Sequence, residues 1–186
     1  MADVSGKGIS AALMMSIFLA QVRALFAAGP GRLEQTLIAL NHRVMEIAQG
    51  EKYITFFVAV VDPTRQSLEY VNCGHNPPLF VHPDGQPELL TEGCVGLGMF
   101  REIPTIGQGS VSLGQGSVLC CYTDGLIEQE NDREVPFGTD RLFGLLAHHK
   151  GQALSSVNAS IVAALEAFRG ETPPLDDTAM LTVRFV

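Results

Sequence analysis

The segment Tyr53-Ile54-Thr55-Phe56-Phe57-Val58-Ala59-Val60-Val61 admits few structural solutions. It is β-branched, aromatic or apolar throughout and lacks the alternation of a half-exposed strand, so it requires a central place in a sheet. Asp62-Pro63 then turns the chain, and Gln66 to Asn72 follow as the hairpin partner. A second hairpin, Leu79 to His82 with Glu88 to Thr91, flanks the turn Pro83-Asp84-Gly85. Ser117 to Thr123 is another apolar strand and runs into Asp124-Gly125, and Ala179 to Val186 is a closing strand entered from Thr172-Pro173-Pro174.

Around these strands the pattern is helical. Gly8 to Ala28 is apolar on nearly every face and ends at the stop Gly29-Pro30-Gly31, which predicts a buried helix. Arg32 to Gln49 carries Leu33, Leu37, Leu40, Val44 and Ile47 at three- and four-residue steps, an amphipathic helix closed by Gly50. Asp140 to His149 and Gln152 to Arg169 read as two more helices, while Gly93 to Gly109 is Gly-rich, without a period, and reads as loop. Helices and hairpin-linked strands are thus segregated along the chain, which indicates α+β with mainly antiparallel sheet in one domain spanning 1–186.

Charge excludes some partners. Twelve Lys+Arg against twenty Asp+Glu leave a formal charge of -8 with no basic run, unfavourable for nucleic acid or an anionic membrane surface. Gln21 and Arg23 interrupt the most apolar stretch short of a bilayer span, so no membrane partner is expected and a cytoplasmic location follows. Cys73, Cys94, Cys120 and Cys121 show no C-x-x-C spacing and are expected to be buried free thiols rather than redox or zinc ligands.

Three acidic positions stand where a strand meets a Gly-rich or turning segment: Asp3 in Asp3-Val4-Ser5-Gly6-Lys7-Gly8, Asp124 in Thr123-Asp124-Gly125, and Asp176-Asp177 before the last strand. A carboxylate at a strand end projects from a rigid element, and a neighbouring glycine lets backbone approach a ligand. These ligands are hard oxygens, which favours Mg²⁺ or Mn²⁺ over zinc. Singly, each also has an ordinary reading as a turn, a helix cap or a solvated charge.

Taken together, DVSGKGISAALMM, VNCGHNPPLF, YTDGLIE and DDTAMLTVR resemble, in order and spacing, the metal-dependent PP2C-like (PPM) serine/threonine phosphatases of the bacterial SpoIIE/RsbU type. The resemblance covers essentially the whole chain. It implies a β-sandwich flanked by helices and a binuclear Mn²⁺ or Mg²⁺ centre. The implied substrate is a phosphoserine or phosphothreonine on a regulatory protein, typically a STAS-type anti-sigma-factor antagonist. By matching position, Asp3 is implied to bridge both metals beside the carbonyl of Val4, and Asp124 and Asp176 to hold the second metal, with Asp177 a further candidate ligand. Catalysis would rest on Asp3, Asp124 and Asp176, two cations activating a water for in-line attack without a covalent intermediate.

The family pattern also has a strand and a G-G-D-x-[YF]-D segment upstream of DVSGKG, whereas here only Met1 and Ala2 precede Asp3. The expectation is therefore an N-terminally truncated domain with a weakened metal position and an uncovered sheet edge, assembling as a homodimer. An upstream sensor or receiver domain is the expected regulator, acting through the two N-terminal helices. A phosphatase-like interaction module without turnover is the alternative, and a nucleotide hydrolase ranks last for lack of a P-loop. His75 in Gly74-His75-Asn76-Pro77-Pro78 is read as structural rather than as a proton carrier, Lys7 as a residue near the incoming phosphate, and Thr55 and Thr123 receive no role.

Overall fold

The computed structural model describes residues 1–27, 32–148 and 151–186, so the Gly29-Pro30-Gly31 stop and His149 lie outside the described residues. In chain order the elements are β1 (Ala2–Val4), α1 (Ile9–Ala27), α2 (Leu33–Ala48), β2 (Ile54–Asp62), β3 (Ser67–Cys73), β4 (Leu79–Val81), β5 (Pro87–Leu89), β6 (Gly93–Cys94), β7 (Gly109–Ser112), β8 (Val118–Tyr122), α3 (Asp124–Ile127), α4 (Gly138–His148), α5 (Leu154–Arg169) and β9 (Met180–Arg184). This is the α+β class with mainly antiparallel sheet that the pattern predicts. The chain divides into two compact units, one of Met1–His75 with Thr91–Val111, the other of Asn76–Leu90 with Ser112–Val186.

In the first unit the strand order is β1-β2-β3-β6, with β7 also pairing β3. The apolar run of β2 lies between β1 and β3, antiparallel to both, as its composition requires. The buried stripe of α2, Leu33, Leu37, Leu40, Val44 and Ala48, packs with Ile54, Val71 and Leu97 in one core. Two short strands escape the sequence pattern. β6 runs parallel to β3 through Gly93, where a Cβ would stand 1.8 Å from the Asn72 carbonyl oxygen. β7 begins at Gly109, where a Cβ would meet the Tyr70 ring at 2.2 Å. Pairing that depends on a missing side chain leaves no hydrophobic period to read.

α1 corrects two expectations. Only Ala11, Met14 and Phe18 are buried, with Phe18 edge-on to Phe56 at 5.2 Å, while Ile9 is 82% and Leu13 60% exposed. A helix that is apolar all round but packs along one face leaves the remaining apolar residues in solvent. By length and composition it is also apolar enough to cross a membrane, so Gln21 and Arg23 do not break it.

The second unit has strand order β5-β4-β8-β9, antiparallel throughout. β8 is buried at every residue, and its Tyr122 packs with Phe137, Leu142 and Ile161. α4 and α5 cover this core, with Phe137 edge-on to Phe168 at 5.4 Å and the Arg141 guanidinium 4.6 Å from the Phe168 centroid. β5 is shifted from the expected Glu88 to Thr91. It ends at Leu89: the next residue, Leu90, still donates its N–H to the Pro78 carbonyl at 3.0 Å, but Pro78 has no N–H to return.

Asn41 is the buried polar link of the first unit. From α2 its amide donates to the carbonyls of Phe100 and Arg101 at 3.1 and 3.2 Å, and its oxygen accepts from Gly98 N–H at 2.8 Å. The segment after β6 is thereby pinned without regular pairing. Asn41→Ala removes these bonds and leaves the buried Gly98 N–H unsatisfied, and is expected to cost about 1–3 kcal/mol. Urea unfolding with an unchanged midpoint would refute this role.

Candidate metal centre

β8 delivers Asp124. Thr123, the last residue before α3, is extended, so the chain leaves a wholly buried strand and turns at once into a one-turn helix. The Asp124-Gly125 pair, expected as a turn, is the start of that helix. Asp124 Oδ1 accepts from the Gly125 N–H at 2.8 Å, which orients the carboxylate locally.

Asp176 and Asp177 lie in the exposed segment that enters β9. Antiparallel pairing of β8 with β9, with Tyr122 opposite Met180, brings the end of one strand to the beginning of the other. Asp124 and Asp176 consequently line one cleft together with Gly125, Glu128, Glu130 and Leu175. Asp176 Oδ1 accepts from Asp177 N–H at 2.7 Å, the same local arrangement as in Asp124. Asp177 does not line the cleft through its side chain, but its carbonyl helps to hold the segment.

That segment is fastened by uncharged groups. Thr123 Oγ1 donates to the Asp177 carbonyl at 3.0 Å and accepts from the Ala179 N–H at 2.9 Å. Thr178 Oγ1 donates to the Gly125 carbonyl at 3.2 Å. Gln129, only 2% exposed, donates to the Pro173 carbonyl at 3.2 Å and accepts from Leu175 N–H at 3.2 Å. Gly125 permits the approach itself, since a Cβ there would lie 2.6 Å from the Asp177 carbonyl oxygen and 3.0 Å from that of Asp176. Thr123 and Gln129 were not legible as site residues. The Thr-Asp-Gly string holds a signal for the first, but the bonds of Gln129 reach a segment more than forty positions away.

Asp3 and Val4 belong to the first unit, on β1, with Asp3 exposed and Val4 buried. Asp3 is opposite Thr55 and Val4 opposite Ile54. Ser5 fastens the loop that follows. Its N–H donates to the Tyr53 carbonyl at 2.9 Å, its hydroxyl accepts from Tyr53 N–H at 2.9 Å, and Lys52 Nζ donates to its carbonyl at 3.2 Å. Thr55 Oγ1 is hydrogen-bonded to Nδ1 of buried His75 at 2.9 Å, and the His75 N–H donates to Asn72 Oδ1 at 2.7 Å. His75 thus organises backbone and Thr55 next to the register position of Asp3. In the second unit Tyr122 donates to the Pro77 carbonyl at 2.8 Å, and burial pushes its phenol up to about 12, so it stays a donor at neutral pH.

Among the described residues, no group of three or more His, Cys, Asp or Glu side chains is arranged to hold a metal ion. The donor chemistry of the cleft nevertheless fits Mg²⁺ or Mn²⁺: its titratable lining is carboxylate only, and Mg²⁺ is commonly held by one or two carboxylates with water completing its shell.

The chain belongs to the SpoIIE family: the family described as Stage II sporulation protein E (SpoIIE) matches residues 1–186. Phosphoserine phosphatase RsbP of Bacillus subtilis is 28% identical over 184 residues, 97% of this chain and 44% of that protein. Phosphoserine phosphatase RsbU of the same organism is 30% identical over 129 residues, 68% of this chain and 38% of that protein. The chain therefore spans less than half the length of these relatives. Its fold is that of the SiaA-PP2C domain of Pseudomonas aeruginosa, at TM-score 0.84 and 21% identity, covering 100% of this chain and 74% of that one. The RsbU and RsbW domains of Rv1364c from Mycobacterium tuberculosis align at TM-score 0.81 and 27% identity, over 98% and 50% of the two chains.

Gly125→Ala forces the Asp176–Asp177 backbone away from α3. Mn²⁺ affinity measured by titration calorimetry is expected to fall roughly tenfold or more, as when groups that orient ligands are lost. An unchanged affinity would show that the close approach is irrelevant to cation binding.

Proposed function

We propose that the chain is a metal-dependent protein serine/threonine phosphatase acting on a phosphorylated regulatory partner. The observation that carries this reading is the single cleft in which Asp124 and Asp176, far apart in sequence, are aligned by β8 and β9. Membership of the SpoIIE family and relatives named phosphoserine phosphatases support a phosphoserine substrate.

In this reading Asp124 and Asp176, with Asp177 beside them, would hold a divalent cation on the second unit, and Asp3 with the Val4 carbonyl would be metal ligands on the first. Bound cations supply charge neutralisation for the phosphoryl oxygens and a nucleophile competent at neutral pH. The chain's own part is positional. The Gly125 and Asp177 amides fix one oxygen of each carboxylate, and among the described residues the other oxygen of each makes no hydrogen bond. Ser5 holds the loop after Asp3 to Tyr53, the residue before β2, and His75 holds Thr55, the register partner of Asp3. Such preorganisation lowers the cost of assembling the site when phosphate arrives.

The partner best suited to the relatives is a phosphorylated STAS-type anti-sigma-factor antagonist, since one solved relative carries an RsbU domain together with an RsbW domain. Control by an upstream sensor or receiver domain, assembly as a homodimer and a cytoplasmic setting complete the proposal.

Phosphate release from a phosphoserine-bearing STAS protein is expected with Mn²⁺, and to stop on chelation. Asp124→Asn should lower it at least about 100-fold, the loss of a few kcal/mol of transition-state stabilisation, with the urea midpoint unchanged. Should the partner bind without turnover, even to a chain extended upstream of Asp3, the domain is an interaction module instead.

A further inference from the structure

Four cysteines were expected to be buried thiols with no chemistry, and Cys94 departs from that expectation. It is only half-buried, whereas Cys73, Cys120 and Cys121 are buried. Cys94 is also the register partner of Cys73 on the parallel pair β3 and β6, and their side chains are hydrogen-bonded. Neighbouring strands stand about 4.8 Å apart, within the roughly 4.4–6.8 Å between Cα atoms that a disulfide bridges.

The backbone holds this juxtaposition. Asn72 N–H donates to the Glu92 carbonyl at 2.9 Å and Gly107 N–H to the Gly93 carbonyl at 2.9 Å, one on each side of β6. Gly93 lies so close to Asn72 that no side chain fits, and Gly74 approaches the Gly96 backbone at 2.9 Å as measured from a Cβ position. The two sulfurs are therefore neighbours by strand register and not by a chance rotamer.

We propose that Cys73 and Cys94 form a peroxide-sensitive dithiol that closes to an intramolecular disulfide. The Cys94 thiolate attacks one peroxide oxygen, the O–O bond breaks, and a sulfenic acid forms with release of water after protonation. Cys73 sulfur then attacks the Cys94 sulfur, the S–O bond breaks, and a second water leaves. Two thiols lose two electrons in all and hydrogen peroxide gains them. The roles follow from burial: Cys94, half-buried, is the thiol that peroxide can reach, while Cys73 is buried, and the hydrogen bond between the pair acts in the same sense. Donation from Cys73 stabilises the Cys94 thiolate and holds that thiol below its usual range, while the same bond together with burial holds Cys73 well above. Once Cys94 is oxidised, its negative charge no longer keeps Cys73 protonated, and the inner thiol is freed to resolve the intermediate. Cys120 and Cys121 offer no comparable pair: burial pushes them up to about 12 and about 11.

The test treats the whole folded chain with hydrogen peroxide and follows intact mass and glutamate-specific digestion, which separates Cys73 from Cys94 at Glu88 and Glu92. Expected are a mass lower by two hydrogen atoms, a linked pair of peptides carrying Cys73 and Cys94, and reversal by dithiothreitol. Loss of Cys94 thiol should outpace that of Cys120 and Cys121 by at least about tenfold, given their thiolate fractions. Cys94→Ser, at the half-buried position, should abolish the bridge with the fold retained. Cys73→Ser should leave a Cys94 sulfenic acid that a cyclic dione traps. Oxidation of Cys94 to sulfinic acid without a bridge, bridging between two chains, or equal reaction at Cys120 and Cys121 would each overturn the proposal.

Discussion

The second unit depends on one pairing. β8 and β9 run antiparallel with Tyr122 opposite Met180, so whatever follows β8 must lie beside whatever precedes β9. The sequence places Asp124 directly after the first strand and Asp176-Asp177 shortly before the second. A register slip by one residue would turn Val118, Cys120 and Tyr122 out of the core they share with Phe137, Leu142 and Ile161, so the packing of β8 favours the same alignment that brings the carboxylates together. Stability of the core and geometry of the cleft are thus set by a single register.

Much of this was legible because the signals were local. β2 announces itself by a continuous β-branched and aromatic run, and α2 by its 3.6-residue stripe, so both emerge almost where expected. The placing of Asp124 and Asp176 beside strand ends was legible because each borders an apolar run and a turn. The failures share a different cause. Burial of α1 depends on how many of its faces find a neighbour, which its own residues do not encode. β6 and β7 are strands only because glycines let them approach Asn72 and Tyr70, and neither has a pattern of its own. Gln129 works through partners on a distant segment, and the pairing of Cys73 with Cys94 arises from a parallel register that no spacing rule reveals.

The first unit reaches rigidity differently. Around β1 and the loop after β6, regular pairing is scarce, and single polar side chains take its place. Ser5 satisfies both backbone groups of Tyr53, while Asn41 serves three backbone groups of the segment 98–101. A buried amide such as Asn41 is costly if one partner is lost, and it tolerates few alternative conformations. A loop held this way is nearly as well defined as a strand, which is what a strand-end carboxylate such as Asp3 needs in order to be aimed.

The same logic explains why the cleft is anchored by neutral groups. Asp124, Glu128, Glu130 and Asp176 share one concave surface, and like charges so placed repel one another. Ion pairs would relieve that repulsion, but the ones among the described residues, such as Arg43 with Glu46 and Arg169 with Glu166, are local pairs elsewhere. Thr123, Thr178, Gln129 and the backbone amides hold the segment in place without cancelling its charge. An acidic concavity held by uncharged bonds keeps its carboxylates free of neutralisation by the anchoring side chains. A lysine or arginine at Gln129 could still donate to the Pro173 carbonyl, but it has no acceptor for the Leu175 N–H and would place a charge at a position only 2% exposed. The neutrality of the anchors is therefore as much a part of the site as the acidity of its walls.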